Sequence, residues 1–227
     1  MPSMINAVLF DLDDTLTDRA ASLSKYAALF HREFAGLLGM MTGREIETTF
    51  VALDAHGYRP RDEVYAGIIE QLAWAHTPDT SEIHDHWHTW FPQSTVARSG
   101  LQETLAALAA AGLHLGVVTN GSVLTQSAKI AQLGIGHYFA TVVISEATRC
   151  KKPDPRIFQY ALEEIGLLAG ETLFVGDHPM NDVLGSVEAG LIPVWLEGIH
   201  VWPSSHAVPD RRIRALFEVL EFIGPRC

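Results

Sequence analysis

Residues 4–15, MINAVLFDLDDT, contain the transition that decides how this chain folds. The first half is an apolar run typical of a buried strand, and the second half is acidic. Because burying an unpaired carboxylate costs several kcal/mol, we expect Asp11 and Asp13 at a solvent-reachable strand end near a cation. Residues two apart on an extended backbone point to the same side, so these two aspartates are candidates for a shared nucleophile and metal site.

Further apolar runs alternate with helix-period segments in the second half of the chain. Together with residues 5–10, five strands are predicted, the others at 113–118, 141–144, 172–175 and 191–195. Their nearly continuous apolar character indicates burial on both faces, as in a parallel sheet covered by helices. The intervening helices end at glycines, which favour the left-handed helix cap. The pattern predicts an α/β fold with a doubly wound, parallel, five-stranded Rossmann-like core.

Residues 17–97 lack this alternation. Helices are predicted there at 20–38, 42–55, 62–75 and 81–91. Four helices between the first two strands are too long for a simple crossover. We therefore predict an all-helical cap domain at residues 17–97, inserted into a catalytic core made of residues 1–16 and 98–227.

Polar side chains follow the other predicted strands, as they follow the first. They are Thr119, Asn120 and Gly121 after the second strand, Lys152 after the third, and Asp177 and Asp182 after the fourth. In open α/β sheets, ligands bind at the carboxyl ends of the strands. Carboxylates suit Mg²⁺, while an ammonium, a hydroxyl and the N–H groups of a helix start suit a phosphate group. The strand ends therefore predict a site for a phosphate and a hard cation.

Composition narrows the range of partners. The chain has 227 residues, 48% of them hydrophobic, and a formal net charge of −11. That charge disfavours binding to nucleic acid polymers or anionic membranes, and no window approaches the roughly 18 apolar residues of a membrane span. Cys150 and Cys227 are the only cysteines, and neither a basic leader nor a cleavage pattern is evident. We expect a cytoplasmic protein that acts on a small phosphorylated metabolite as a monomer or homodimer.

The motifs also resemble a known family. Asp-Leu-Asp-Asp-Thr at residues 11–15, Thr-Asn-Gly at 119–121, Lys-Pro-Asp-Pro at 152–155 and Gly-Asp-x-x-x-x-Asp at 176–182 resemble the haloacid dehalogenase-like (HAD) superfamily. All four occur in the family's order and at predicted strand ends. The helical insertion resembles the first cap type of that superfamily.

The resemblance implies a role for each acidic residue. Asp11 would attack phosphorus and form an aspartyl-phosphate, and Asp13 would act as general acid and then general base. Mg²⁺ would be held by the Asp11 side chain, the Asp13 backbone carbonyl and Asp177, with Asp182 as an inner- or outer-shell partner.

The remaining motifs would bind the transferring phosphoryl group. Thr119, the Asn120 backbone N–H and Lys152 would hold its oxygens, with Gly121 in the same binding loop. Lys152 is preferred over Lys151 because the family's lysine directly precedes the proline. In the cap, Arg59 or Arg61 of the loop at 56–61 would recognise the far end of the substrate, unless that loop is a solvated connector. For His178, a site role and simple lining of the cleft are equally open.

The expected activity is Mg²⁺-dependent hydrolysis of a small phosphate monoester, such as a nucleotide, a phosphosugar or a phosphoglycolate-like acid. Asp13, Asp177 and Asp182 together favour phosphoryl transfer over 2-haloacid dehalogenation, because the family's dehalogenases lack the second aspartate and need no metal. A phosphosugar mutase on the same core, a dehalogenase and a non-enzymatic regulatory protein stay open as alternatives.

Overall fold

The computed structural model of this protein describes residues 4–224, and a parallel sheet is its central element. The strands are β1 (Ala7–Phe10), β2 (His114–Thr119), β3 (Phe139–Ile144), β4 (Thr172–Gly176), β5 (Ile192–Leu196) and β6 (Arg212–Ile213). Their order across the sheet is β3-β2-β1-β4-β5-β6, and every neighbouring pair is parallel. The sheet order reverses direction at β1, so the chain is doubly wound and the α/β Rossmann-like prediction is confirmed.

The predicted strand number was wrong by one. β1 to β5 lie at the predicted places, with bounds shifted by one or two residues. The sixth strand, β6, pairs with β5 at the sheet edge and has only two residues, one exposed and one buried. A strand that short leaves no apolar run for a sequence pattern to show.

Helices cover the sheet and form the insertion. In the described residues they are α1 (Arg19–Glu33), α2 (Gly43–Asp54), α3 (Arg61–Gln71), α4 (Thr80–Trp90), α5 (Leu101–Ala110), α6 (Val123–Leu133), α7 (Ser145–Thr148), α8 (Pro155–Ile165) and α9 (Gly185–Glu188). A π-helical turn, Pro179–Leu184, leads into α9, and a 3-10 helix covers Leu216–Phe222. Within residues 4–224, none of the helices is long and apolar enough to cross a lipid bilayer.

Two helices of the insertion are shorter than predicted. α1 ends at Glu33 rather than at residue 38, where Leu38 pairs with Trp74 in an isolated antiparallel bridge. α3 ends at Gln71 because Leu72 adopts an extended backbone. Both ends are set by pairing and turns within the insertion, which helical periodicity does not reveal.

The sheet buries apolar side chains on both faces. Val8 and Phe10 of β1 pack in one cluster with Leu105 of α5, while Leu9 packs in another with Phe158 of α8. Alternate residues of a strand point to opposite faces, so one short strand contributes to both clusters. The absence of polar side chains within β1 follows from this two-sided burial.

The chain divides into two compact units. One contains the residues up to Thr17 and from Ala97 onward, and the other is Asp18–Val96. The sheet belongs to the first. The second is helical and has its own core, in which Tyr26 stacks on Phe50 and meets the edges of Trp87 and Phe91.

Candidate active site

Three aspartates converge at the carboxyl ends of β1 and β4. Asp11 directly follows β1, Asp177 follows β4, and Asp182 lies in the π-helical turn. One carboxylate oxygen from each lies within 4.8 Å of those of the other two, and all three residues are buried. Buried carboxylates gathered this closely form a donor set that could hold a metal ion.

Lys152 lies among these carboxylates. Its Nζ is 2.5 Å from Asp11 Oδ1 and 2.7 Å from Asp182 Oδ1, and its side chain is 3% exposed. When all three carboxylates are ionised, the single ammonium of Lys152 leaves two negative charges in excess. A divalent cation would balance that excess, so the charge of the site fits Mg²⁺ as well as its oxygen donors do.

The electrostatics of the cluster are consistent with this excess. Burial raises the pKa of Asp11 well above its usual range, and repulsion from Asp182 and Asp177 adds to the rise that Lys152 opposes. Burial also raises the pKa of Asp177. For Lys152, burial disfavours the charge, but Asp11 and Asp182 raise its pKa above the ordinary value. The two aspartates therefore favour the charged form of Lys152, and the repulsion that remains among the three carboxylates favours a second cation.

Neighbouring groups fix the orientation of Asp177. Thr15 Oγ1 donates a hydrogen bond of 3.2 Å to Asp177 Oδ1, and His200 Nε2 lies 3.3 Å from Oδ2. Trp195 Nε1 donates to the Asp177 carbonyl at 2.9 Å. The hydrogen bond between His200 and the Asp177 carboxylate raises the pKa of His200. Sequence reasoning missed His200, because the segment around it carries no motif.

Asp182 approaches β4 through a gap that requires glycine. A Cβ placed on Gly176 would lie 2.4 Å from the Asp182 Cβ, well inside contact distance. Asp182 Oδ2 also accepts a hydrogen bond of 2.9 Å from the His178 N–H. His178 itself caps the π-helical turn, since its Nδ1 accepts from the Met180 and Asn181 N–H groups. Burial lowers the pKa of His178.

The loop after β2 connects two predicted binding residues. The Asn120 side chain accepts from the Lys152 N–H at 2.8 Å and donates to the Lys152 carbonyl at 3.0 Å. It therefore holds the Lys152 segment beside the end of β2. Gly121 has a φ of 145°, which favours glycine, and its N–H donates to Ser145 Oγ.

Asp13 makes different contacts from the three clustered aspartates. Its carboxylate contacts two side chains of α6. It accepts hydrogen bonds from Lys129 Nζ at 2.6 and 2.7 Å and from Gln126 Nε2 at 3.0 Å. Gln126 Nε2 also lies 2.7 Å from Thr119 Oγ1, so α6 connects Asp13 with the end of β2. Neither Lys129 nor Gln126 was predicted, because lysine and glutamine on a helix are ordinarily solvent-facing.

The two predicted cap arginines belong to the helical unit, Asp18–Val96. Arg59 is half-buried and follows the short 3-10 turn Ala55–Gly57. Arg61 Nη1 donates to Asp54 Oδ1 at 2.8 Å, and Arg19 holds the same carboxylate through two further hydrogen bonds. Substrate recognition by Arg59 and Arg61 stays a prediction.

These features define a class: a doubly wound α/β protein with acidic residues at the strand ends and a helical insertion after the first strand. Comparison with protein families matches residues 5–190 to the hydrolase family described as haloacid dehalogenase-like hydrolase. The chain belongs to this family.

Individual relatives agree with this family assignment. The chain is 31% identical over 201 residues to a glyceraldehyde 3-phosphate phosphatase from Methanopyrus kandleri, covering 84% of this chain and 83% of the relative. It is 31% identical over 189 residues to a phosphoglycolate phosphatase from Yersinia pseudotuberculosis, covering 82% and 78%. Among solved structures, a magnesium-bound HAD-hydrolase from Bacillus subtilis, YfnB, superposes with a TM-score of 0.79 at 24% identity, covering 98% of this chain and 100% of that one. This last similarity concerns the fold.

Proposed function

We propose that this protein is a Mg²⁺-dependent phosphatase that hydrolyses a small phosphate monoester through an aspartyl-phosphate on Asp11. The observation that carries the proposal is the buried group of Asp11, Asp177 and Asp182 with Lys152 bonded between two of them. These four residues would supply a nucleophile, a set of metal ligands and a phosphate-binding cation at one end of the sheet.

The first step transfers the phosphoryl group to the enzyme. An Asp11 carboxylate oxygen attacks phosphorus, and the bond between phosphorus and the ester oxygen breaks as the new bond forms. Asp13 gives its proton to the departing oxygen, which leaves as an alcohol. Lys152, Thr119 and the Asn120 N–H hold the other phosphoryl oxygens, where negative charge is concentrated.

The second step regenerates the enzyme. Asp13, now a carboxylate, takes a proton from a water molecule as that water attacks the phosphorus of the aspartyl-phosphate. The bond from phosphorus to Asp11 breaks, and inorganic phosphate is released with the carboxylate restored. Asp13 therefore acts as an acid toward the departing ester oxygen in the first step and as a base toward the water oxygen in the second.

Mg²⁺ would be bound by the side chains of Asp11 and Asp177 and the backbone carbonyl of Asp13, with Asp182 beside them. When bound, it neutralises charge on the phosphate dianion and on the carboxylates that surround it. The charge excess and the oxygen donors of the three aspartates support this assignment.

The chemistry of the site and the relatives support a proposal about the substrate class. The two phosphatases named above are a glyceraldehyde 3-phosphate phosphatase and a phosphoglycolate phosphatase, and both of these substrates are small alkyl monoesters. We propose that the substrate of this protein belongs to the same class and is a free metabolite of the cytoplasm. We also propose that the protein is a monomer or homodimer. The acidic net charge of −11 supports a small ligand over a nucleic acid or membrane surface.

A phosphate-release assay tests the proposal. The panel contains glyceraldehyde 3-phosphate, phosphoglycolate, phosphoserine, a nucleoside monophosphate and a hexose phosphate, each with Mg²⁺ and with excess chelator. We expect Mg²⁺-dependent release from at least one alkyl monoester. Release that survives chelation would contradict the metal requirement. Transfer of the phosphoryl group to a sugar instead of water would show a mutase. Halide release from a 2-haloacid would show a dehalogenase.

A further inference from the structure

Lys129 is a buried lysine whose ammonium contacts the Asp13 carboxylate. The residue is 4% exposed, and its Nζ lies 2.6 and 2.7 Å from the two carboxylate oxygens of Asp13. Lysine is almost never buried this deeply without a partner, because removing an ammonium from water is costly. A leucine at this buried position of α6 would avoid the cost of removing a charge from water. The presence of a charged side chain there therefore calls for an explanation.

Gln126 supports the same carboxylate from the preceding turn of α6. It lies three positions before Lys129, which places both side chains on one face of the helix. Gln126 is 1% exposed, and its Nε2 lies 3.0 Å from Asp13 Oδ2 and 2.7 Å from Thr119 Oγ1. Ser122 caps the start of α6 by accepting from the Thr125 N–H, which anchors the helix beside the site.

We propose that Lys129, with Gln126, forms a clamp on α6 that positions the Asp13 carboxylate for proton transfer, an inference that rests on the proposed function. Both are positioning residues that act through Asp13. A carboxylate at the end of a loop has free rotation about two bonds, and donors on both oxygens restrict it to one orientation. Proton transfer needs the group within hydrogen-bonding distance of the reacting oxygen, so a fixed approach direction favours the rate.

The clamp has a consequence that depends on the leaving group. An alkyl alcohol must be protonated as it departs, whereas p-nitrophenolate leaves readily as an anion. Misplacing Asp13 should therefore slow hydrolysis of alkyl esters more than hydrolysis of p-nitrophenyl phosphate. General acid catalysis contributes about 10²- to 10⁴-fold, which bounds the difference.

The experiment compares Lys129→Met with wild type on p-nitrophenyl phosphate and on the fastest alkyl monoester among phosphoglycolate, glyceraldehyde 3-phosphate and phosphoserine. We expect kcat on the alkyl ester to fall about 10- to 100-fold further than kcat on the aryl ester, within that bound, with little change in KM. Lys151→Met is the matched control, because Lys151 is exposed and adjacent in sequence to Lys152. It should show no such difference between the two esters.

A second comparison covers the case in which Lys129→Met does not fold. Asp13→Asn/Lys129→Met leaves no unpaired charge at the clamp, and it is compared with Asp13→Asn alone. If Lys129 acts through Asp13, adding the lysine change should alter kcat on the alkyl ester less than threefold. A further loss of about tenfold or more on the alkyl ester, or equal losses on both esters, would overturn the inference.

The two proposals fail in different ways. A wild-type enzyme without Mg²⁺-dependent phosphate release would contradict the proposed function itself. An active wild type whose Lys129→Met variant keeps full activity on the alkyl ester would contradict only the clamp.

Discussion

At Asp11, burial and neighbouring carboxylates both oppose the charge of the side chain. It is 6% exposed, and two further carboxylates lie near it in the same buried cluster. Lys152 offsets part of the repulsion, and the pKa of Asp11 is still raised by burial. The proposed mechanism needs Asp11 ionised at neutral pH and would therefore depend on a second cation, for which the oxygen ligands suit Mg²⁺.

This opposition to the Asp11 charge predicts how the stability of the metal-free protein changes with pH. Because the folded-state pKa of Asp11 is raised, the folded protein binds more protons than the unfolded chain, and its stability falls as pH rises from about 4 through the raised pKa. Asp11→Asn removes that dependence. With chelator present, we expect the free energy of unfolding of wild type to fall relative to Asp11→Asn by up to about 1.4 kcal/mol per pH unit.

Urea unfolding of both proteins across the acidic to neutral range measures this difference. Adding Mg²⁺ at neutral pH should stabilise wild type through binding to the folded state, and should stabilise Asp11→Asn less. Parallel pH curves for the two metal-free proteins would contradict the assigned direction of the Asp11 pKa.

At the scale of elements, the sequence predicts which side chains come together wherever the ends of parallel strands determine their positions. Asp11, Lys152, Asp177 and Asp182 follow strands of one parallel sheet, so their convergence follows from the topology. Lys129 could not be predicted in the same way. It lies on the amphipathic helix α6, and only the packing of that helix shows that its charge is buried against Asp13. Likewise, β6 is too short to leave a periodic pattern.

The junction between β4 and the π-helical turn supports a prediction about Gly176. Alanine at this position would place its Cβ 2.4 Å from the Asp182 Cβ, so Asp182 or the strand must move. We expect Gly176→Ala to lower the free energy of unfolding by about 1 to 3 kcal/mol, as overpacking does, and to weaken Mg²⁺ binding. Calorimetric unfolding and Mg²⁺ titration measure the two effects.

Gly170→Ala is the matched control for this substitution. A Cβ on Gly170 meets no atom within 4 Å, and its φ lies outside the left-handed region. It should leave both stability and Mg²⁺ affinity close to wild type. If Gly176→Ala binds Mg²⁺ as tightly as Gly170→Ala does, the close approach of Asp182 is not needed for the metal site.

At the scale of the whole molecule, the chain consists of two units with separate cores. The helical unit, Asp18–Val96, is held together by an aromatic cluster and by a buried ion pair. Asp54 is fully buried and accepts hydrogen bonds from Arg19 and Arg61. Burial opposes ionisation of Asp54, but the two arginines lower its pKa. Sequence reasoning assigned Arg61 to substrate recognition without this partner, because the pairing joins two different helices with a turn between them.

Removing Asp54 should destabilise the helical unit selectively. Asp54→Ala leaves two arginines without their buried carboxylate, and we expect a loss of about 3 to 5 kcal/mol. Hydrogen exchange should increase across residues 18–96, while Mg²⁺ affinity, which depends on the other unit, stays unchanged. Asp62→Ala, an exposed aspartate in the same unit, is the control and should change exchange little. Equal exchange in the two variants would contradict a structural role for Asp54.

The central claim is that Asp11 carries the phosphoryl group during turnover. The most direct measurement is mass spectrometry of acid-quenched enzyme, mixed with Mg²⁺ and the fastest monoester of the panel and digested to peptides. We predict the added mass of one phosphoryl group on the peptide that contains Asp11, and no such mass in Asp11→Asn. Phosphate release at the wild-type rate by Asp11→Asn, or a phosphoryl group on any other residue, would contradict the account.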